Sequence, residues 1–182
     1  MAAHCLLITF FCLAAALLTA GDAVGNDQGC PAGWTPFGTR CFKFFDSTST
    51  WTNAEKTCHS QGANLASIHS ADENAFIIRL IREATGEDRQ TWIGGHDAFK
   101  DDVWMWTDGS VWDYSNWAPR QPDNFLNREK FLMVNWRANP GSAWDDGPEH
   151  EPRAYICAKN TSSKVSLILE DIQYTCTSNL HV

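Results

Sequence analysis

The sequence predicts an α+β fold with two helices and small antiparallel sheets. Apolar residues recur at helical spacing in two segments between residues 51 and 86, and they alternate at strand spacing on either side of those segments. The predicted order is a strand, two helices and then a loop-rich sheet. Helices and strands that are segregated along the chain in this way are typical of α+β proteins.

The amino terminus has the pattern of a secretory signal peptide. Leu6 to Leu18 form an apolar run, and small residues follow it at Ala20 to Ala23. The run is shorter than the roughly 20 residues that a membrane span needs. We therefore expect residues 1–23 to be removed, residues 24–29 to form a short leading segment, and the mature protein to be secreted into a disulfide-permissive setting.

Two helices are predicted from their capping signals. Thr52 and Glu55 stand at capping-box spacing before Cys58, and Gly62 is the expected stop. The second helix repeats the signal. Ser70 and Glu73 open it, Gly86 ends it, and its apolar stripe predicts a core-facing side through Phe76, Ile77, Leu80 and Ile81.

Strands are predicted by short alternating segments between turn residues. The sequence gives such segments at Cys41–Phe44, Trp92–Gly95, Trp104–Trp106, Phe131–Trp136 and Ala154–Cys157. Asp108-Gly109 predicts a turn, and residues 113–128 are expected to be irregular.

Oxygen-bearing side chains are concentrated around the last predicted strands. They are Gln121, Asp123, Glu129, Asp145 and Asp146. Calcium takes roughly 6 to 8 oxygen ligands from such groups, so a calcium site is one interpretation of this pattern. The other is an acidic loop that only faces water, which is the usual place of carboxylates.

The cysteines of the mature chain are odd in number. Cys5 and Cys12 leave with the signal peptide, so five of the seven cysteines remain. Closeness in sequence favours a Cys30–Cys41 disulfide, and Cys58–Cys157 is the next natural pair. Cys176 is then left over, either as a free thiol, after a swap of partners, or in an intermolecular disulfide that links two copies as a homodimer.

These features together resemble the C-type lectin-like domain in its long form, across residues 30–159. The resemblance is carried by Cys30-Pro31, Gly33-Trp34, the segment from Trp51 to Cys58, Gly62–Ala66, Trp92-Ile93-Gly94, Asp108-Gly109, Asn116-Trp117, Gln121-Pro122-Asp123, Trp144-Asp145-Asp146 and Tyr155-Ile156-Cys157. It implies a double-loop fold with the disulfides Cys30–Cys41 and Cys58–Cys157. Residues 160–182 lie beyond it as a tail, in which Asn160-Thr161-Ser162 is an N-glycosylation sequence.

The resemblance also implies a site and a ligand. The calcium ligands would be the five residues of the oxygen-rich pattern, and Pro122 would follow a cis bond. Gln-Pro-Asp is the family's galactose-type sequence, so Gln121, Asp123, Glu129 and Asp145 would also contact galactose-containing glycans. Phe125 stands where an aromatic ring stacks on the sugar, and its alternative role is an inward-packed anchor of the loop.

Two departures from the family pattern bear on the site. The inner disulfide of the family is absent, because its positions hold Phe131 and Glu149. Asp145 stands where the family generally has Asn, which adds a carboxylate for the metal and removes an amide donor to the sugar. Metal binding is therefore expected to be better preserved than sugar selectivity.

Three classes of function follow, and one partner is disfavoured. The first is a secreted, calcium-dependent, galactose-type lectin, and the alternative is a related domain that binds a protein target, as toxins do, or ice. An enzyme is not expected, because His59, His69, His96 and His150 fit no zinc or nucleophile pattern. The formal net charge of -8 disfavours nucleic acid and anionic membrane.

Overall fold

The computed structural model describes residues 29–135 and 143–161. The predicted signal peptide, Trp136 and the tail with Cys176 lie outside the described residues. Within them, residues 30–160 form one compact unit. Neither helix in this part of the chain has the length and apolar character needed to cross a membrane.

Eight strands form one sheet in the order β1-β2-β8-β4-β6-β7, with β3 on β8 and β5 on β4. The strands are β1 Thr35–Phe37, β2 Arg40–Ser49, β3 Asn64–Leu65, β4 Thr91–His96, β5 Met105–Trp106, β6 Glu129–Val134, β7 Trp144–Pro148 and β8 Arg153–Asn160. The α+β class and the lectin-like double-loop fold are confirmed. The predicted small sheets are continuous, because β8 pairs with β2 on one side and with β4 on the other. The β4–β8 pair is parallel, and all other pairs are antiparallel.

The first helix, α1 (Trp51–Ser60), begins earlier than its sequence suggests. Thr50 is its N-cap and accepts from the backbone N–H of Asn53, so the predicted capping box of Thr52 and Glu55 is wrong. Glu55 has another partner, since its carboxylate accepts the Leu65 backbone N–H at 2.6 Å. A hydrogen bond from β3 to Glu55 therefore takes the place of the predicted capping-box contact within the helix.

The second helix, α2 (Ala71–Thr85), has the predicted ends. Ser70 accepts the Glu73 N–H at 3.1 Å, and Gly86 closes the helix in the left-handed region with φ of 77°. The predicted stripe of Phe76, Ile77 and Ile81 is buried in the main apolar cluster, with Leu80 packed against it. This helix thus covers the sheet as its periodicity indicates.

Two disulfides fasten the scaffold, Cys30–Cys41 and Cys58–Cys157. The second closes a sequence separation of 99 residues. A bridge over so long a loop restricts the unfolded chain strongly, and such bridges contribute about 2 to 4 kcal/mol. It joins α1 to β8 and leaves the loops between β5 and β7 to be held by other contacts.

Aromatic packing occupies the place of the missing inner disulfide. Phe131 lies with its ring centroid 4.4 Å from that of Trp51, and the Trp51 backbone N–H donates to the carbonyl of Glu149 at 3.2 Å. The two positions are therefore linked through Trp51. This contact replaces a covalent bond with a packing interaction, which constrains the neighbouring loop less.

Candidate functional site

Pairing of β6 with β7 assembles the candidate site. Their antiparallel register sets Glu129 opposite Pro148, Leu132 opposite Asp146 and Met133 opposite Asp145. The segment before the site is fixed to the same strand, since Trp144 donates its N–H to the carbonyl of Asn116 at 2.8 Å. The loop that follows Asn116 returns to β7 at Asp123, whose backbone N–H donates to Asp146 at 3.0 Å.

Three of the predicted ligands meet at one point. Carboxylate oxygens of Asp123, Glu129 and Asp146 lie within 4.8 Å of one another. Asp146 accepts the backbone N–H groups of Asp123 at 3.0 Å and Asn124 at 2.8 Å. Glu129 accepts the N–H of Phe125 at 3.0 Å. The backbone of the loop therefore orients two of the three carboxylates.

The candidate metal centre is the name used below for Asp123, Glu129 and Asp146 together with Gln121 and Asp145, the two further ligands that the sequence predicts. Among the described residues, no group donates a hydrogen bond to the buried oxygens Gln121 Oε1 and Asp145 Oδ1. The Gln121-Pro122 peptide bond is cis. Asp145 lies outside the tight group of three, on the neighbouring position of β7. Buried oxygens without donors are costly, and a cation would satisfy them.

The electrostatics of the centre also fit a cation. Burial, reinforced by the neighbouring carboxylates, raises the pKa of Asp145 to about 8 and that of Glu129 to about 7. Burial likewise raises the pKa of Asp146. Within residues 29–135 and 143–161, no Lys, Arg or His forms an ion pair with these residues. The centre holds more negative charge than its surroundings balance, so the donor set suits a hard divalent cation.

A short 3₁₀ turn, Phe125–Asn127, forms the rim of the centre. Asn124, Leu126 and Asn127 have positive φ angles of 42°, 58° and 56°. This backbone turns Phe125 and Leu126 outward, where they are 62% and 65% exposed. The inward-packed alternative for Phe125 is wrong, and an exposed apolar pair beside a polar site is typical of a binding surface.

Sequence reasoning missed Asn124 as a member of the site. Its side-chain oxygen accepts the Glu129 N–H at 3.2 Å, while its own N–H is bound by Asp146. The usable signal is the residue type, because Asn tolerates the left-handed region more readily than most residues. The Trp144–Pro148 segment is also a strand, which is not among the predicted strands.

A contact between serine, histidine and aspartate occurs elsewhere, and its geometry does not suit catalysis. His69 lies 3.0 Å from the Ser67 hydroxyl and 2.8 Å from Asp113. Ser67, however, is fully buried, and its hydroxyl donates to Asp108 and accepts from Arg40. A nucleophile must be reachable by substrate and paired with its base, so this network is structural.

Comparisons with known proteins agree with the geometry. The family model of the Lectin C-type domain matches residues 47–159. The chain is 42% identical over 133 residues to the galactose-specific lectin nattectin of Thalassophryne nattereri, which covers 73% of this chain and 82% of that protein. Two solved structures are similar. The C-type lectin CEL-I from Cucumaria echinata has 34% identity and a TM-score of 0.69, covering 73% of this chain and 99% of that one. Herring type II antifreeze protein has 35% identity and a TM-score of 0.67, covering 73% and 100%.

Proposed function

This chain belongs to the C-type lectin domain family, and from that premise we propose that it is a secreted, calcium-dependent lectin for galactose-containing glycans. Its activity would be binding without catalysis. The observation that carries the proposal is the candidate metal centre, where carboxylates lie together and two further buried oxygens have no donor among the described residues.

Calcium would be held by Gln121, Asp123, Glu129, Asp145 and Asp146. The ion would supply open coordination positions that accept two neighbouring sugar hydroxyls as ligands. Asp146 has a second role, because it binds the N–H groups of Asp123 and Asn124 and so fixes the loop. Three carboxylates at close range would also favour a divalent ion over a monovalent one.

Sugar selectivity would come from the same side chains. Gln121 offers an amide that both donates and accepts, whereas Asp123, Glu129 and Asp145 only accept when ionised. This arrangement fixes which pair of hydroxyls is best satisfied, and the Gln-Pro-Asp order favours galactose. The exposed ring of Phe125 would pack on the apolar face of the sugar, as aromatic side chains do in carbohydrate and ligand sites.

A galactose column in the presence and absence of calcium tests this function. We expect retention with calcium and release with a chelator. The variant with Gln121→Glu and Asp123→Asn keeps the number of oxygen ligands but exchanges amide and carboxylate, so it should lose galactose preference while still binding calcium. Wild-type protein that binds calcium and passes through the column would refute the galactose assignment.

Ice binding is a second candidate, and the likeness to herring type II antifreeze protein favours it. The column separates the two, because an ice-binding relative would show thermal hysteresis in solution without galactose retention. A protein target is the third candidate. It would be supported if the folded protein bound calcium but showed neither sugar retention nor hysteresis.

Secretion, glycosylation and dimerisation are part of the proposal. Two disulfides within the domain are consistent with an oxidising compartment. Asn160 is exposed at the end of β8, where a glycan at its acceptor sequence would meet little hindrance. We propose that Cys176 links two copies, which would raise avidity for multivalent glycans. Electrophoresis without reductant checks this, since Cys176→Ser should convert a dimer to a monomer.

A further inference from the structure

The loop between β4 and β5 is folded around a second acidic group. Asp97 is 4% exposed and accepts the Asp102 N–H at 3.0 Å. The Asp97 N–H donates to the Lys130 carbonyl at 3.1 Å. The backbone of this loop is therefore hydrogen-bonded to β6 at Lys130, the residue that follows the proposed ligand Glu129.

Lys130 supplies the positive charge of this second group. Its ammonium lies 2.6 Å from Asp101 Oδ1 and 3.9 Å from Asp97 Oδ1, and its side chain is only 23% exposed. We call Asp97, Asp101 and Lys130 the Lys130 cluster. Two carboxylates from the loop thus share one cation from β6.

Asn124 connects the Lys130 cluster to the candidate metal centre. Its side-chain amide donates to Asp101 Oδ2 at 3.5 Å, a long contact, and its side-chain oxygen accepts the Glu129 N–H at 3.2 Å. Asp101 consequently touches Lys130 with one oxygen and Asn124 with the other. The chain of contacts reaches Asp146, which binds the Asn124 backbone N–H.

We propose that Lys130 is a positioning residue for the metal centre: its ammonium acts as a built-in cation that ties the loop of residues 97–103, through Asp101 and Asn124, to the proposed calcium ligands. The inference rests on the proposed calcium site. The physical reason is preorganisation. The inner disulfide that would hold the loop is absent, and a loop that is already ordered loses less conformational entropy when it binds calcium.

A purely electrostatic effect on calcium affinity would differ in sign between two variants that change the charge in opposite directions. Lys130→Met makes the region more negative and would strengthen calcium binding by attraction alone, whereas Asp101→Asn makes it less negative and would weaken binding. Under positioning, both variants break the same link. Both should then weaken calcium binding in spite of their opposite charge changes.

Calorimetric calcium titration of the folded protein tests this pattern. We expect Lys130→Met and Asp101→Asn each to weaken calcium affinity about fivefold, less than the roughly 10- to 100-fold cost of losing a direct partner of a metal ligand, because both residues act through Asn124. Lys130→Arg should restore most of the affinity. Lys56→Met is the matched control, because Lys56 is an exposed helix residue and the charge change is the same. Affinity shifts of opposite sign in Lys130→Met and Asp101→Asn would overturn the inference.

Amide hydrogen exchange without calcium separates this inference from the proposed function. Lys130→Met should speed exchange in residues 97–103 and 124–128, whereas Lys56→Met should not. If wild-type protein bound no calcium, the proposed function would fail, and faster exchange in both loops would still support the link. Unchanged exchange in Lys130→Met would overturn the inference whatever the calcium result.

Discussion

The candidate metal centre and the Lys130 cluster are neighbouring acidic groups that differ in how far the protein balances their charge. Glu129 and Lys130 are consecutive on β6, at a register shift against β7, and their side chains reach different acidic groups. One group thus receives a carboxylate from the strand and the other an ammonium. The Lys130 cluster has its own cation, while the centre has no ion pair among the described residues. Arg153 interacts electrostatically with Asp145 and Glu129 but forms no ion pair with either, since its partner is Glu151. The carboxylates of the centre therefore have less counter-charge than those of the Lys130 cluster, and a bound cation would stabilise them more.

The largest expected effect distinguishes the two groups directly. Asp146→Asn should weaken calcium affinity about 100-fold, or about 2.7 kcal/mol, since a charged ligand is lost from the centre. Asp101→Asn, which removes the same charge from the Lys130 cluster, should cost only about fivefold. Calcium titration of both variants measures the ratio. If both variants lost the same calcium affinity, the candidate metal centre and the Lys130 cluster would not differ in the way that their ion pairs suggest.

Acidity should affect the centre next most strongly. The raised pKa values of Glu129 and Asp145, about 7 and about 8, mean that the folded metal-free protein binds protons that the unfolded chain releases near pH 4. Stability of the metal-free protein should therefore fall as pH rises from about 4 to about 8. Calcium competes with these protons, so its affinity should rise at least about tenfold from about pH 6 to about pH 8.

Thermal unfolding with calcium and with a chelator measures both halves of this prediction. The melting temperature of the metal-free protein should decrease over that pH range, while the increase caused by calcium should grow. Asp146→Asn is the control, because its much weaker calcium binding should leave only a small calcium-induced increase in melting temperature. A calcium-induced increase that is the same at about pH 6 and about pH 8 would contradict the assigned pKa values.

The smallest expected effect concerns the rim of the centre. Phe125→Ala should reduce galactose affinity about fivefold and leave calcium affinity unchanged, because the ring would contact the sugar and not the ion. Phe99→Ala is the matched control, since Phe99 is 83% exposed and lies on the loop of the Lys130 cluster. Competition with free galactose on the column measures the galactose affinity of both variants. Similar losses in the two variants would point to a non-specific apolar effect.

Local signals in the sequence predicted the elements whose ends depend on near neighbours. Ser70 and Gly86 cap α2 as predicted, because an N-cap and a left-handed C-cap are satisfied within a few residues. Thr52 does not cap α1, since Glu55 is engaged by β3 and the chain enters the helix at Thr50. A capping pattern therefore fails where a distant backbone N–H competes for the same carboxylate.

The chemical nature of the candidate site follows from residue identity alone. The Gln121-Pro122-Asp123 and Trp144-Asp145-Asp146 segments contain the oxygen donors, and residue identity fixes how many charges and lone pairs are available. It also indicated that the inner disulfide is absent, from Phe131 and Glu149.

The distribution of those charges, in contrast, depends on strand pairing and loop packing. Asp123, Glu129 and Asp146 come together because β6 pairs with β7, while Asp97 and Asp101 meet Lys130 because the β4–β5 loop leans on the same strand. Sequence spacing does not reveal this partition, since the partners are far apart along the chain and strand pairing sets their distances. Coulomb interactions depend on those distances and on burial, so the counter-charge of each carboxylate is a property of the fold.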